Sequence, residues 1–188
     1  MQLLIVGLVI FLGVHLVPVV APLRQGLFGA LGEKGYKLAF SLVSALGLVL
    51  IVVGYGRAPH EPQLFAPSIG VRHALPLVMM VSFALLAASH MKGRIRLAVK
   101  HPMLLGVGLW ALAHLLANGH LKATLLFGGF LAYVVIDFIS ATARGTAKTF
   151  TPVPKHDVIS VVAGVVLALV VMSVHRYLFG VPAVPWGL

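Results

Sequence analysis

The sequence contains no cysteine, which excludes disulfides, thiolate metal sites and thiol chemistry. Charge is also scarce: charged residues make up 10% of the 188 residues, and only 4 of them are Asp or Glu. Soluble domains carry roughly 25% charged residues. With 60% hydrophobic residues and a mean hydropathy of +1.06, the chain is therefore predicted to be an integral membrane protein in a lipid bilayer.

The net charge of +10 is the second unusual feature. A strongly basic chain can bind nucleic acid, but the 14 Lys and Arg residues lie mostly in short gaps between apolar runs. Membrane topology explains this distribution, so we expect no nucleic-acid partner. Because no gap is long or polar enough for a soluble domain, residues 1–188 are expected to form a single integral membrane domain.

Apolar segments recur along the chain, and each approaches the roughly 20 residues that a helix needs to cross a bilayer. Prolines in gaps 57–72 and 145–155 predict loops there. The predicted fold is all-α, a polytopic membrane protein with a six-transmembrane-helix bundle. The third and fourth segments are the shortest and are expected to extend into their flanks. The segments are Leu3–Leu23, Leu38–Tyr55, Ala74–Ser89, Pro102–Ala117, Ala123–Thr142 and Val158–Phe179.

Cations are unequally divided between alternate gaps, which predicts orientation. The odd gaps are expected in the cytoplasm and both termini in the periplasm of a bacterial inner membrane. The first segment lacks a positive n-region and is expected to be a retained helix. The cations of the odd gaps are Arg24, Lys34, Lys37, Lys92, Arg94, Arg96, Lys100, Arg144, Lys148 and Lys155; those of the other side are Arg57, Arg72, Lys122 and Arg176.

Glycines within the segments are expected at close approaches between helices, because small residues pack well in lipid. Glycines of this kind include Gly47, Gly106, Gly108, Gly128, Gly129 and Gly164.

Two histidines lie well inside apolar segments, where ionisable groups are costly and usually pair or coordinate something. His15 belongs to the first segment and His114 to the fourth. Helical spacing places Trp110 and Asn118 on the same face as His114. Such a face suits a flat ligand. The alternative is a histidine that simply hydrogen-bonds to a neighbouring helix.

Histidines on two different helices favour a bound cofactor over simple packing. Neutral imidazole suits transition metals, and imidazoles from facing helices are a common way to hold a haem iron. At 1.5 Å rise per residue, His15 lies roughly 13 Å from Arg24 and His114 about 21 Å from Lys100. A shared iron therefore depends on helix tilt. Pro18 is expected to kink the first helix just past His15.

Other polar groups are expected to be structural. Asp137 is predicted to pair with Arg144 or a first-gap lysine, with a proton relay as the alternative. Histidines near the outer surface offer an external metal site, although scattered loop histidines seldom form one: His60, His73, His120 and His175. His90 and His101 are candidates to bind anionic headgroups or cofactor propionates. No motif of soluble enzymes is present.

Two stretches resemble the NnrU family of bacterial membrane proteins. The first is KHPMLLGVGLWALAHLLANG, Lys100 to Gly119, which carries His-Pro, Gly106, Trp110, His114 and Asn-Gly. The second is GVHLVPVVAPLRQGLFGALGEKGYKLAFSLVS, Gly13 to Ser44, with a histidine, a downstream Arg and Gly-Glu-x-x-Tyr. With the six-span plan, the resemblance covers most of the chain.

The resemblance implies a haem protein. The family includes proteins named for a role in nitrite and nitric oxide metabolism during denitrification. It also includes zeta-carotene isomerases, which bind haem b through histidines of these two motifs. It implies His15 and His114 as metal ligands of haem b, with Trp110 against the macrocycle. Where the isomerases carry a Cys, this chain has Ala111.

Three functions follow as alternatives. The first is a haem protein linked to nitric oxide and denitrification metabolism. The second is a haem-dependent isomerase of a lipophilic polyene substrate dissolved in the membrane, and the third is a non-catalytic membrane assembly factor. The sequence leaves the physiological reaction and the oligomeric state open.

Overall fold

A computed structural model describes residues 1–183, so the last five residues of the predicted domain lie outside the described part of the chain. These residues form helices joined by turns and loops, with one isolated bridge between Gln63 and His120. The predicted all-α class is confirmed. The helices are α1 (Gln2–Leu16), α2 (Ala21–Arg57), α3 (Ile69–Ala88), α4 (Arg94–Val99), α5 (Pro102–Ala117), α6 (Leu121–Ala143) and α7 (Lys155–Phe179).

Several of these helices are suited to cross a membrane. Within residues 1–183, 5 are long and apolar enough: α1 with the turn that follows it, α2, α3, α6 and α7. Helix α5 is equally apolar, but it has only 16 residues and does not extend into its flanks as expected. The chain is therefore a multi-pass protein, while a sixth crossing depends on α5.

The first predicted segment ends earlier than expected. Helix α1 stops at Leu16, and Val17–Val19 form a 3-10 turn that contains Pro18. Because proline lacks an amide donor, the expected change of direction just past His15 occurs here. The chain then enters α2 at Ala21, with Pro22 in its first turn, where proline is tolerated.

Helix α2 is much longer than the predicted segment Leu38–Tyr55, because it continues through the first basic gap. Within this gap the helix is interrupted at Gly32, where φ is 67°. Leu, Ala and Lys of this gap favour helix even outside a bilayer. The polar residues of this gap indicate where the apolar part of the chain ends, but the helix itself continues through them.

Helix α4 was not expected from the sequence. Its first amides are capped from another helix: the Asp157 carboxylate of α7 accepts hydrogen bonds from Arg94 N (3.0 Å) and Ile95 N (2.9 Å). A helix of 6 residues shows no apolar periodicity, and its cap is distant in sequence. Local patterns therefore do not reveal it.

The long helices pack in the order α2–α1–α6–α5–α3–α7, each against the next. Helix α6 thus lies between α1 and α5, which carry the two candidate histidines. The buried residues of α5 are mainly small or apolar, such as Leu104, Ala111 and Ala113. The site is consequently built around the middle of this row.

Contacts between loops define two ends of the molecule. At one end, which we call the basic end, Arg144 contacts the turn at Pro18, and Val153 N donates to Lys92 O (2.8 Å). At the opposite end, Lys122 Nζ donates to Ala58 O (3.1 Å). Leu64 N also donates to Gly119 O (2.7 Å) there. The cation-rich odd gaps therefore lie together.

Three of the glycines expected at helix contacts lie at close approaches. A Cβ on Gly47 would lie 2.8 Å from Phe11 N, and one on Gly106 would lie 2.9 Å from Ser82 O. A Cβ on Gly164 would overlap the backbone of Ala84. Gly128 is different, because nothing lies within 4 Å of its Cβ position.

Candidate functional site

His114 lies in the last turn of α5, with a half-buried ring. Its Nδ1 is 2.9 Å from Trp110 O, and Asn118 Nδ2 donates to His114 O at 2.8 Å. A carbonyl only accepts, so Nδ1 carries the proton and Nε2 of the neutral ring keeps its lone pair. The rings of Trp110 and Phe127 lie 5.6 and 4.9 Å away. The shared face of Trp110, His114 and Asn118 is confirmed.

His15 is held in the same way at the end of α1. Its Nδ1 lies 2.6 Å from Phe11 O, and the Phe11 ring stacks on the imidazole at 4.2 Å. Phe40 of α2 and Tyr133 of α6 contact it edge-on at 5.0 and 6.0 Å. Nε2 is again the basic nitrogen. Rings from three helices thus surround this imidazole.

The structure does not stack the two histidines on each other. A series of ring contacts connects them instead: Phe11 to Phe130 (5.6 Å), Phe130 to Trp110 (5.3 Å), and Trp110 to His114. The histidines also contact α6 at different depths, because Tyr133 and Phe127 are six residues, or about 9 Å, apart along the helix. This offset resembles the difference of about 8 Å in depth between the two histidines that helix rise predicts from the sequence.

The aromatic residues of α6 were missed by reasoning from the histidines. Phe127, Phe130 and Tyr133 recur every three residues and are followed by Asp137, which places all four on one helix face. That stripe faces both α1 and α5, and its spacing was visible in the sequence. The stripe would have marked this face of α6 as buried, but not which helices it contacts.

Asp137 has the structural partner that was predicted for it. Its carboxylate lies 3.6 Å from the Arg144 guanidinium and accepts a hydrogen bond from the Tyr133 hydroxyl at 3.1 Å. The guanidinium also donates to the carbonyls of Pro18 (2.7 Å) and Val19 (3.1 Å). This network fixes the turn that follows His15 against the end of α6.

An apolar cavity of about 150 Å³ lies beside the His15 cluster, between the end of α1 and the first half of α2. Val14, Leu27, Tyr36 and Phe40 are among its lining residues. The buried Tyr36 hydroxyl has no hydrogen-bond partner. The cavity is smaller than the roughly 300 Å³ at which pockets for drug-sized ligands begin.

The outer histidines are dispersed. The rings of His60 and His120 meet at 5.4 Å, whereas His175 Nδ1 bonds to Val181 O at 2.8 Å. Across residues 1–183, no group of three or more His, Asp or Glu side chains is placed to hold a metal ion. A metal at His15 or His114 would thus have imidazoles as its protein ligands.

The donor chemistry of the two histidines fits a haem iron, although their spacing requires side chains to move. Ligating histidines commonly donate the other ring N–H to a backbone carbonyl, as both do here. The bond alone is not diagnostic, since the exposed His73 makes it with Ile69 O (2.8 Å). What distinguishes His15 and His114 is the surrounding aromatic rings. The rings between them fill the space that a macrocycle bound to both would need.

The described residues form apolar helices with small-residue contacts, and their ionisable side chains lie near the ends or in one internal aromatic cluster. These features define a polytopic α-helical membrane protein. The profile of the family described as NnrU protein matches residues 3–183, nearly the whole chain. The protein belongs to the NnrU family. No curated protein and no solved structure matches it significantly.

Proposed function

We propose that this protein binds one haem b in the membrane through His15 and His114, and that it acts in nitric oxide or denitrification metabolism. The observation that carries the proposal is the pair of imidazoles on α1 and α5, each held by its own helix with Nε2 as the basic nitrogen. Family membership supports the same ligands. Bound haem would supply redox or gas-ligand chemistry within the bilayer.

The chain itself would hold and shield the ligands. The carbonyls of Phe11 and Trp110 keep the imidazoles in the tautomer that metal binding needs. Trp110 packs against His114 and is proposed to lie against the macrocycle. For both histidines to reach one iron, Phe11 and Phe130 must turn out of the space between them. The proposal therefore includes a side-chain rearrangement.

Membrane placement is part of the proposal. We assign six crossings in a bacterial inner membrane, with α5 as the short one, the basic end in the cytoplasm and both termini in the periplasm. Helix α5 spans about 24 Å at 1.5 Å per residue. It packs between α3 and α6, so longer neighbours flank it. Local thinning or tilting of neighbours accommodates such a mismatch at modest cost.

Absorption spectra of the purified protein, oxidised and reduced, test the haem proposal. We expect a Soret band that His15→Ala and His114→Ala each abolish or shift. His73→Ala is the matched control, because it removes a helical histidine with the same bond to the carbonyl four residues earlier. Unchanged bands in both site variants, with haem retained, would refute the ligand assignment. Loss of the Soret band in only one of the two variants would assign a single histidine ligand.

Two other functions retain support from specific observations. A non-catalytic assembly factor is favoured by the hydrogen bond that each imidazole makes through Nδ1 within its own helix, and it is the function to adopt if the purified protein lacks a Soret band. A polyene isomerase is favoured by the apolar cavity beside the His15 cluster. Ala111 in place of the isomerases' Cys and the small volume count against it. Incubation with a cis-polyene in detergent, followed by chromatography, distinguishes the two.

A further inference from the structure

A second cavity, of about 190 Å³, lies at the basic end, where α4 leads into α5 and the loop after α6 passes over both. Its lining includes Arg96, Lys100, His101 and Lys148, together with the hydroxyl residues Ser89 and Thr146. We propose that this cavity binds a phosphate group, from the headgroup of an anionic membrane lipid or from free phosphate. The assignment is independent of haem binding.

Within residues 1–183, no carboxylate side chain is placed to pair with these cations. The four Asp and Glu side chains are all engaged elsewhere. Glu33 pairs with Lys37 at 2.6 Å, and Glu61 accepts from Gln63 N at 3.0 Å. Asp137 and Asp157 are held by Arg144 and by the first amides of α4. The cationic side chains that line the cavity therefore favour an anion from outside the chain.

The cations are partly held in place before any ligand binds. The Arg96 guanidinium lies over the Phe150 ring, 5.6 Å from its centre, and 3.5 Å from Met91 O. Lys100 has a φ of 60°, the one positive φ outside glycine in residues 1–183. A backbone of this kind is unfavourable and persists where the surrounding structure imposes it, often at ligand sites.

The start of α5 adds further donors. Met103 and Leu104 line the cavity, and their amides belong to the first turn, where a helix leaves its N–H groups without intrahelical partners. These amides and the helix dipole favour an anion. Amides, guanidinium and ammonium groups together are donors that phosphate oxygens accept from. The Ser89 and Thr146 hydroxyls already donate to Leu86 O (2.6 Å) and Ala141 O (3.1 Å).

The position of the cavity separates it from the histidine site and points to a membrane lipid as one source. His101 and His114 are 13 residues, or about 20 Å, apart along α5. The cavity lies where the apolar parts of α3 and α5 end, at the expected level of lipid headgroups. Basic pockets between transmembrane helices bind anionic headgroups.

Thermal unfolding of the detergent-solubilised protein tests the proposal, with phosphatidylglycerol, phosphatidylcholine or sodium phosphate added at matched ionic strength. We expect phosphatidylglycerol to raise the melting temperature. The variant R96Q/K100Q/K148Q should need about tenfold more lipid for the same shift, because each cation near an anionic headgroup strengthens lipid binding. The matched control R24Q/K34Q/K155Q removes three cations of the same end outside the cavity and should keep the shift.

The added ligands distinguish the two sources. A shift with sodium phosphate alone, lost in R96Q/K100Q/K148Q, supports the site and assigns it to free phosphate. K100R/K148R preserves charge and should keep the shift, which separates lost binding from lost folding. Should the triple variant misfold, the single variant K148Q on the loop serves in its place, with a smaller loss expected. Equal losses in the cavity and control variants, or no loss in either, would overturn the proposal.

Discussion

At the scale of single residues, Arg144 shows how one side chain connects distant parts of a nearly acid-free protein. Its guanidinium reaches Asp137 on its own helix and two carbonyls of the turn after α1. Turn carbonyls at 18 and 19 lie where the chain changes helices, so they need external donors. Arg144 supplies these donors and couples the turn after His15 to α6.

Replacement of Arg144 by Ala should therefore destabilise the protein. We expect a loss of about 1 kcal/mol in the free energy of unfolding, because hydrogen bonds to charged groups are lost but the site is partly open to solvent. Circular dichroism during thermal unfolding in mild detergent measures it. Lys37→Ala is the control, since it breaks an exposed pair with Glu33. A loss no larger than that of the control would show that the turn does not depend on Arg144.

At the scale of helices, packing is controlled by where the backbone of one helix meets another. Gly164 of α7 lies against Ala84 of α3, whereas Gly128 of α6 faces open space at its Cβ position. Both lie inside apolar helices, where Ala favours helix over Gly by about 1 kcal/mol. The same substitution should therefore have opposite effects at the two sites.

We predict that Gly164→Ala lowers the melting temperature, because its new methyl group pushes α7 away from α3. Gly128→Ala should leave the melting temperature unchanged or raise it slightly. Both variants are compared by thermal unfolding under the same detergent conditions. If Gly164→Ala is as stable as Gly128→Ala, then α3 and α7 do not approach as closely as the structure describes.

Helix α4 offers a second test at this scale, because its cap comes from α7. Asp157→Ala should cost about 1–2 kcal/mol of local stability, as loss of an N-cap usually does. Amide hydrogen exchange in 94–99 should accelerate, while exchange in the middle of α3 should not. Asp157→Asn keeps one acceptor oxygen, so its exchange rate in 94–99 should lie between those of the unchanged protein and Asp157→Ala. Uniform acceleration throughout the protein would contradict a local role for this carboxylate.

At the scale of the whole molecule, hydropathy and proline positions predicted the class, loops within 57–72 and 145–155, and the approximate position of the long helices. The first of these loops is shorter than predicted, because α3 already begins at Ile69. Hydropathy and proline positions failed where helix continues beyond apolar sequence, as in α2. They also failed where a short helix depends on a distant partner, as α4 depends on Asp157. The pairing of Asp137 was predictable because Arg144 lies two turns away on the same helix.

The candidate site was predictable only in part. The face of Trp110, His114 and Asn118 follows from helical periodicity and was confirmed. The insertion of α6 between the two histidines did not follow, because the order of helices in space is set by packing between segments far apart in sequence. The ligand assignment itself stays a prediction until spectra are measured.

The natural absence of cysteine makes the topology directly testable. We expect Cys introduced at Lys92 to react with a membrane-impermeant maleimide only from the cytoplasmic side, and Cys at Ala66 only from the periplasmic side. Both positions are exposed and lie at opposite ends of α3. Labelling of intact and permeabilised spheroplasts distinguishes the two sides. Reaction of both sites from one side would invalidate the proposed arrangement.

The order of the helices in space also has a consequence for biosynthesis. Helices α1 and α2 pack on each other, yet their main further contact, α1 with α6, waits until residues 121–143 are made. Helix α3 waits longer still, because its neighbour α7 follows at Lys155–Phe179. The nascent protein therefore holds incomplete helix surfaces in the bilayer until α7 has been inserted. Truncation before α7 should leave α3 without its partner and expose the chain to membrane quality-control proteases.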